Sequence, residues 1–88
     1  MSDVHSKKSV LTLKEYGKIH IHLQELMKER GMSRNQLARS INTRFEVVDR
    51  WYNDKVEKID ADILARICYV LECDIEELIR YERDDGDI

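Results

Sequence analysis

Along most of the chain the apolar positions recur three and four residues apart, the spacing that gathers them on one side of an α-helix. Leu23 and Leu26 open a helix that ends at Gly31, with Lys28 and Arg30 in its last turn where cations suit the helix dipole. Ser33 and Gln36 have the spacing of a capping box for a second helix, SRNQLARSI, whose buried side is Leu37, Ala38 and Ile41. Thr43 and Glu46 repeat that spacing and open a third helix, RFEVVDRWYN, with Val48 and Trp51 on its anchored side. Asn42 lies between the two, where a tight turn needs a left-handed residue. After the polar connection Asp54–Lys58, Asp60 caps a fourth helix carrying Ile63, Leu64, Ile67, Cys68 and Leu71, with Tyr69 expected half-buried on it. Asp74 and Glu77 bracket a short fifth helix with Ile75, Leu78 and Ile79 inward.

The N-terminal quarter reads differently. Residues 1–9 are polar, offer no periodic apolar face, and are expected to be a disordered leader. Residues 10–22 form an extension with two competing signals. Thr12 and Glu15 have capping-box spacing, and Leu13, Tyr16 and Ile19 follow a helical period. Ile19, Ile21 and Leu23 alternate with His20 and His22, which is strand-like, and Gly17 argues against one continuous helix. The reading preferred is an extended stretch at Lys18–His22 running into the first helix. Five short helices do not need this much additional apolar surface, so the extension is expected to cover the bundle or to pair with a strand. The partner would be Ile79–Glu82 or a second subunit. Residues 23–81 then form the domain proper, and 82–88 an acidic, frayed tail.

Eighty-eight residues make one domain. No apolar run reaches the ~20 residues of a membrane-spanning helix, and the first ten residues lack the apolar core of a signal peptide. Two cysteines among 88 residues are too few for a disulfide scaffold, so the thiols are expected reduced in a cytoplasmic chain. Cys68 and Cys73 with the His20-x-His22 pair do not make a persuasive metal site, and no cofactor is expected. No nucleophile–base pattern, Gly-rich phosphate loop or HExxH spacing is present, so an enzyme is not expected. The net charge of −3 is unevenly spread: +1 over residues 1–27, +3 over 28–58 and −7 over 59–88. A domain-wide basic field is absent, while a locally basic middle remains compatible with phosphate contact through one face.

Two short helices joined by a three- to four-residue turn make a helix-turn-helix unit. Within Leu23–Tyr81 the ordered set Gly31-Met32-Ser33, Leu37-Ala38, Val48, Trp51-Tyr52-Asn53, Ile63-Leu64 and Leu71 before Cys73-Asp74-Ile75-Glu76-Glu77-Leu78 resembles the Cro/repressor-type, or XRE, helix-turn-helix family, in its short single-domain branch. Asn42 stands where that family commonly has glycine, and Arg34 where it commonly has glutamine. The resemblance implies an all-α, five-helix lambda-repressor-like bundle with a possible short extended N-terminal segment. It also implies binding of double-stranded DNA by the third helix, usually as a homodimer on paired half-sites, in a transcriptional regulator that acts as a repressor. It brings no small-molecule substrate and no membrane.

Reading a major groove takes one polar helix face opposite an anchored one. On the third helix Glu46, Asp49, Arg50 and Asn53 fall in one polar stripe. The residues expected at base edges are Arg44, Phe45, Glu46, Asp49 and Arg50. Arg50 suits guanine O6 and N7, a carboxylate suits cytosine N4, and Phe45 suits a thymine methyl. Phosphates are expected to meet Ser33, Arg34, Asn53 and Lys55. Glu46 and Asp49 oppose a phosphate field. The competing reading is therefore a protein-interaction or antitoxin-like module that uses this fold without reading DNA. If the two acids dominate the third helix, phosphate approach fails; if Arg34, Arg44, Arg50 and Lys55 surround them, it succeeds. For the extension, removing residues 1–22 is expected to lower the melting temperature or change the oligomeric state. Unchanged values of both would remove its assigned role.

Overall fold

A computed structural model describes residues 16–83. Its elements are strand β1 (Lys18–Ile21), helices α1 (Leu23–Arg30), α2 (Arg34–Ser40), α3 (Phe45–Tyr52), α4 (Ala61–Leu71) and α5 (Ile75–Leu78), and strand β2 (Ile79–Glu82). The five helices are those expected. The all-α description needs correcting, because β1 and β2 pair antiparallel, with Lys18 opposite Glu82 and Ile21 opposite Ile79. Ile79 leaves α5 with extended backbone (φ −130°, ψ 146°), and the chain runs directly back beside β1. The preferred extended reading of Lys18–His22 thus finds its strand within the same chain. β2 includes Glu82, so pairing reaches one residue into the stretch read as tail. The leader and the Thr12–Glu15 spacing lie outside the described residues.

Local chemistry accounts for most helix boundaries. Gly31 takes φ 65° and closes α1, its N–H donating to the carbonyl of Lys28 at 3.3 Å. The Ser33 hydroxyl accepts from Gln36 backbone N–H at 3.1 Å while the Gln36 side-chain Oε1 accepts from Ser33 N–H at 2.8 Å, so both halves of the capping box form. One carboxylate oxygen of Asp60 accepts from Asp62 and Ile63 N–H, starting α4. α4 stops at Glu72, whose left-handed backbone lets Cys73 N–H donate back to the Cys68 carbonyl at 3.1 Å. Burial, reinforced by the adjacent Cys68 thiol, pushes the Cys73 thiol up to about 11.

Three details depart from expectation. The Thr43 box does not form, because Thr43 N–H is spent on the Ala38 carbonyl at 2.9 Å, closing the turn; Arg44 becomes the N-cap and α3 begins at Phe45. Ile75, expected inward, is 54 % exposed: α5 is a single turn, and the one side it can bury belongs to Leu78. Tyr69, expected half-buried, stands out from α4 almost fully exposed.

Leu23 and Met27 of α1, Leu37 of α2, Val48 and Trp51 of α3, Ile67 and Leu71 of α4 and Leu78 of α5 form one buried cluster. α1 touches α3, α4 and α5 and is the shared wall. Arg30 Nε adds a bond to the Leu71 carbonyl at 2.7 Å, tying α1 to the end of α4. The ribbon is held closely at its open end, where Gly17 N–H donates to the Tyr81 hydroxyl at 2.9 Å. A Cβ at Gly17 would collide with the Glu82 carbonyl oxygen and the Arg83 Cα. Gly17→Ala is therefore expected to cost about 1–3 kcal/mol of stability, the usual penalty for overpacking, read as a lower urea midpoint. An unchanged midpoint would mean the ribbon does not close as described.

Candidate nucleic-acid interface

α3 is amphipathic, with two sides facing opposite environments. Val48 and Trp51 are buried, whereas Phe45, Glu46 and Arg50 are exposed and Asp49 and Tyr52 half-buried. α2 supports it through a turn of four residues, Ile41–Arg44, in which Asn42 adopts the left-handed backbone expected of it (φ 57°). Arg66 of α4 braces that turn from behind: Nη1 donates to the Ile41 carbonyl at 2.8 Å while Nη2 pairs with Asp62 at 2.7 Å. The outward side of α3 is thus presented from a fixed base, and no described segment covers it.

Each residue expected at the interface has a definite place. Arg44, Phe45, Glu46 and Arg50 project outward at the start and along the open side of α3. Arg50 and Lys55 line a shallow cleft of about 460 Å³ with Thr43, Val47, Trp51 and Lys58. Ser33 is exposed, but its hydroxyl is engaged as the α2 cap. Asn53 is the C-cap of α3 and donates to the Asp49 carbonyl at 2.9 Å and to its carboxylate at 3.2 Å.

Arg34 and Asp49 are brought together. Arg34 Nη1 donates to Asp49 Oδ1 at 2.7 Å, and the guanidinium lies over two rings, its Cζ 4.7 Å from the centre of Tyr52 and 5.6 Å from that of Phe45. Phe45, Asp49 and Tyr52 occupy one side of α3 at i, i+4 and i+7, so a single side chain from α2 spans all three. Asp49 is accordingly a paired charge. Glu46 is the one acid left open on the outward side of α3, against Arg44 and Arg50, with Lys55 just beyond the helix end.

A second group, unanticipated from sequence, fixes the far end of α3. Asp54 takes a left-handed backbone (φ 58°) just past the helix and turns its carboxylate onto β1, accepting from Ile21 N–H at 2.8 Å and bonding His20 Nδ1 at 2.7 Å. On the same side of the ribbon, His22 Nε2 lies 2.8 Å from a Glu82 carboxylate oxygen. The alternation of His20 and His22 is the one trace of this group in the sequence; its acidic partners come from two other elements. Among the described residues no group of three or more His, Cys, Asp and Glu is placed to hold a metal ion, and no helix is long and apolar enough to cross a membrane.

With this geometry in view, the comparisons bear on one architecture. Residues 22–84 match the family model described as a Cro/C1-type HTH DNA-binding domain. The chain belongs to that family. No curated protein matches it in sequence. Among solved structures it is similar to a presumed DNA-binding protein from Bacteroides fragilis, at TM-score 0.64 and 19 % identity over 72 % of this chain and all of that one. It is similar also to the transcriptional regulator VanUg in its form II, at TM-score 0.64 and 19 % identity over 77 % of this chain and 89 % of that one. At such identity these likenesses establish the shared fold.

The Asp54 clasp carries a pH dependence of defined sign. The hydrogen bond to Asp54 raises His20 above its ordinary 6.5 and outweighs partial desolvation. Burial works to raise Asp54, yet its bonds from His20 and Ile21 hold it below its ordinary 3.8. A raised histidine contributes stability that is complete below 6.5 and lost as pH climbs through its folded value. A lowered carboxylate contributes above 3.8 and loses that contribution in acid. The clasp is therefore strongest between those two values and weakens toward alkaline pH. Both side chains are more than a third exposed, so the effect is small. Urea midpoints are expected to fall as pH rises from 6 to 8, and Asp54→Asn, which keeps the left-handed turn, should flatten that fall. Parallel curves for the two proteins would contradict the clasp.

Proposed function

We propose that this Cro/C1-type domain is a sequence-specific binder of double-stranded DNA that regulates transcription, as a homodimeric repressor. The observation that carries the reading is the state of charge on α3. Two acids on a reading helix would repel phosphate, but Asp49 is neutralised by Arg34, which leaves Glu46 exposed in a stretch that also exposes Arg44 and Arg50. That is the arrangement expected of a DNA-facing helix and the opposite of the one expected for an acidic interaction module.

In this reading Arg44, Phe45, Glu46, Asp49 and Arg50 meet base edges, since Glu46, Asp49 and Arg50 lie on the side of α3 away from the Val48–Trp51 anchor and Arg44 and Phe45 are exposed at its start. Lys55 and Asn53 past one end of the helix, and Ser33 with Arg34 across from the other, meet the flanking backbone. The likeness to a transcriptional regulator and a presumed DNA-binding protein supports the regulatory role. A single helix-turn-helix domain recognises a long site most simply by placing two copies on two half-sites.

Two experiments test this. On random duplex DNA the association constant should fall steeply and linearly with salt on logarithmic axes, by about 0.9 per phosphate neutralised. Lys55→Ala should weaken all sequences alike and reduce that slope by about one, whereas Arg50→Ala should cost about 1–3 kcal/mol on the selected site and relax preference at one base pair. Binding without salt dependence, or equal losses from both substitutions on selected and scrambled duplexes, would overturn the reading.

A further inference from the structure

We propose that Arg34 and Asp49 act as one unit that reads a single G·C base pair in the major groove. The proposal rests on the DNA-binding reading and refines it: Arg34 becomes a base reader rather than a phosphate contact, and Asp49 both positions it and reads beside it.

Arg34 opens α2, yet its guanidinium belongs spatially to α3, held by Asp49 at 2.7 Å and by the faces of Tyr52 and Phe45. A phosphate contact needs a cation within reach of an exposed charge and tolerates a mobile one. A guanidinium fixed by a carboxylate and two rings is instead set in orientation, the requirement for bidentate readout. The fixing leaves the working atoms open. The two side chains are 42 % and 38 % exposed. Among the described residues only Nη1 of Arg34 is spent on a protein acceptor, and the bonds to the Asp49 carboxylate, from Arg34 and Asn53, both fall on Oδ1. Nε–H and Nη2–H therefore remain as a parallel pair of donors, and Oδ2 as an acceptor on the carboxylate that the guanidinium holds.

Two donors and an acceptor complement one base pair. In the major groove G·C offers the N7 and O6 acceptors of guanine next to the N4 amino donor of cytosine. An A·T pair in the same place keeps the N7 acceptor but sets the adenine N6 amino group against a guanidinium donor and the thymine O4 against a carboxylate oxygen, so it is mismatched at two of the three positions. Because the ion pair already exists in the free protein, two long side chains need little further ordering on binding. Asp49 on its own would oppose the duplex; paired with Arg34 it adds selectivity without a free negative charge.

The test uses the full chain and a pool of randomised duplexes. Selection is run with the wild type, Arg34→Lys and Asp49→Ala, the fold of each checked by circular dichroism, and affinities are then measured on the recovered duplex and its single-position variants. The wild type should recover one fixed G·C position. Changing that pair to A·T, or its guanine to 7-deazaguanine, should weaken wild-type binding about tenfold or more. Arg34→Lys keeps the charge but lacks the fork. It should match the wild-type salt slope and lose most of the sensitivity to those changes; Asp49→Ala, which frees the guanidinium to turn, should lose sensitivity as well. If Arg34→Lys or Asp49→Ala still selects the same G·C position with full sensitivity to 7-deazaguanine, Arg34 and Asp49 do not read as one unit and the proposal is wrong while the DNA reading stands. If the wild type shows no salt-dependent binding to the pool, the DNA reading fails and takes this proposal with it.

Discussion

Burial of Val48 and Trp51 against the common core is the constraint from which the rest follows. A helix of eight residues has little stability of its own in water, since nucleation costs more than so few hydrogen bonds return. α3 exists because its inner side completes a core that α1, α2 and α4 leave open. The same anchoring decides which side chains face out. With Val48 and Trp51 fixed, the three- and four-residue periodicity places Glu46, Asp49, Arg50 and Asn53 on the opposite side, and rotating the helix to hide them would expose a tryptophan. Fold and presentation are thus one event, and the bracing around α3 serves both. Arg66 holds the turn before the helix and Asp54 the residue after it, so both ends are tied to different parts of the molecule.

Charge is distributed by the same economy. The acids that looked unsuited to a DNA-facing helix are handled separately: Asp49 is bound by Arg34, Asp54 turns away onto β1, and Glu46 stays between two arginines in sequence. The strongly acidic C-terminal third is spent partly on structure. Asp60 and Glu77 cap helices and Glu82 meets a histidine on the ribbon. A sum over the sequence, −3, therefore says little about the potential over α3.

How far this was legible in the residues depends on the range of each interaction. Helix starts at Ser33 and Asp60 were readable because a cap and its recipient lie within three residues; Gly31 and Asn42 were readable because few residues adopt left-handed backbone. Thr43 misled for a reason of the same kind: its N–H closes the turn behind it, which delays the helix by one residue. Ile75 and Tyr69 misled because periodicity counts apolar positions and is blind to how much surface a neighbouring element can cover. The extended stretch at Lys18–His22 could be suspected from alternation. Ile79–Glu82 could be named as one of two possible partners, but alternation alone does not choose between it and a second subunit, because it lies some sixty residues away and follows a helix end directly. On α3, the outward placement of Glu46 and Arg50 followed from the period. The pairing of Arg34 with Asp49 and the anchoring by Asp54 did not, since both depend on the packing of α2 and β1 against α3.

The account turns on which surface of the chain a duplex meets. The most direct measurement is the change in assigned backbone and side-chain NMR resonances as a short duplex is added to the full chain at low salt. The largest changes are predicted at Arg44–Arg50 and at the Arg34 guanidinium, with Tyr69 and the back of α4 unmoved. Changes centred on the ribbon or on α4, with α3 silent, would contradict it.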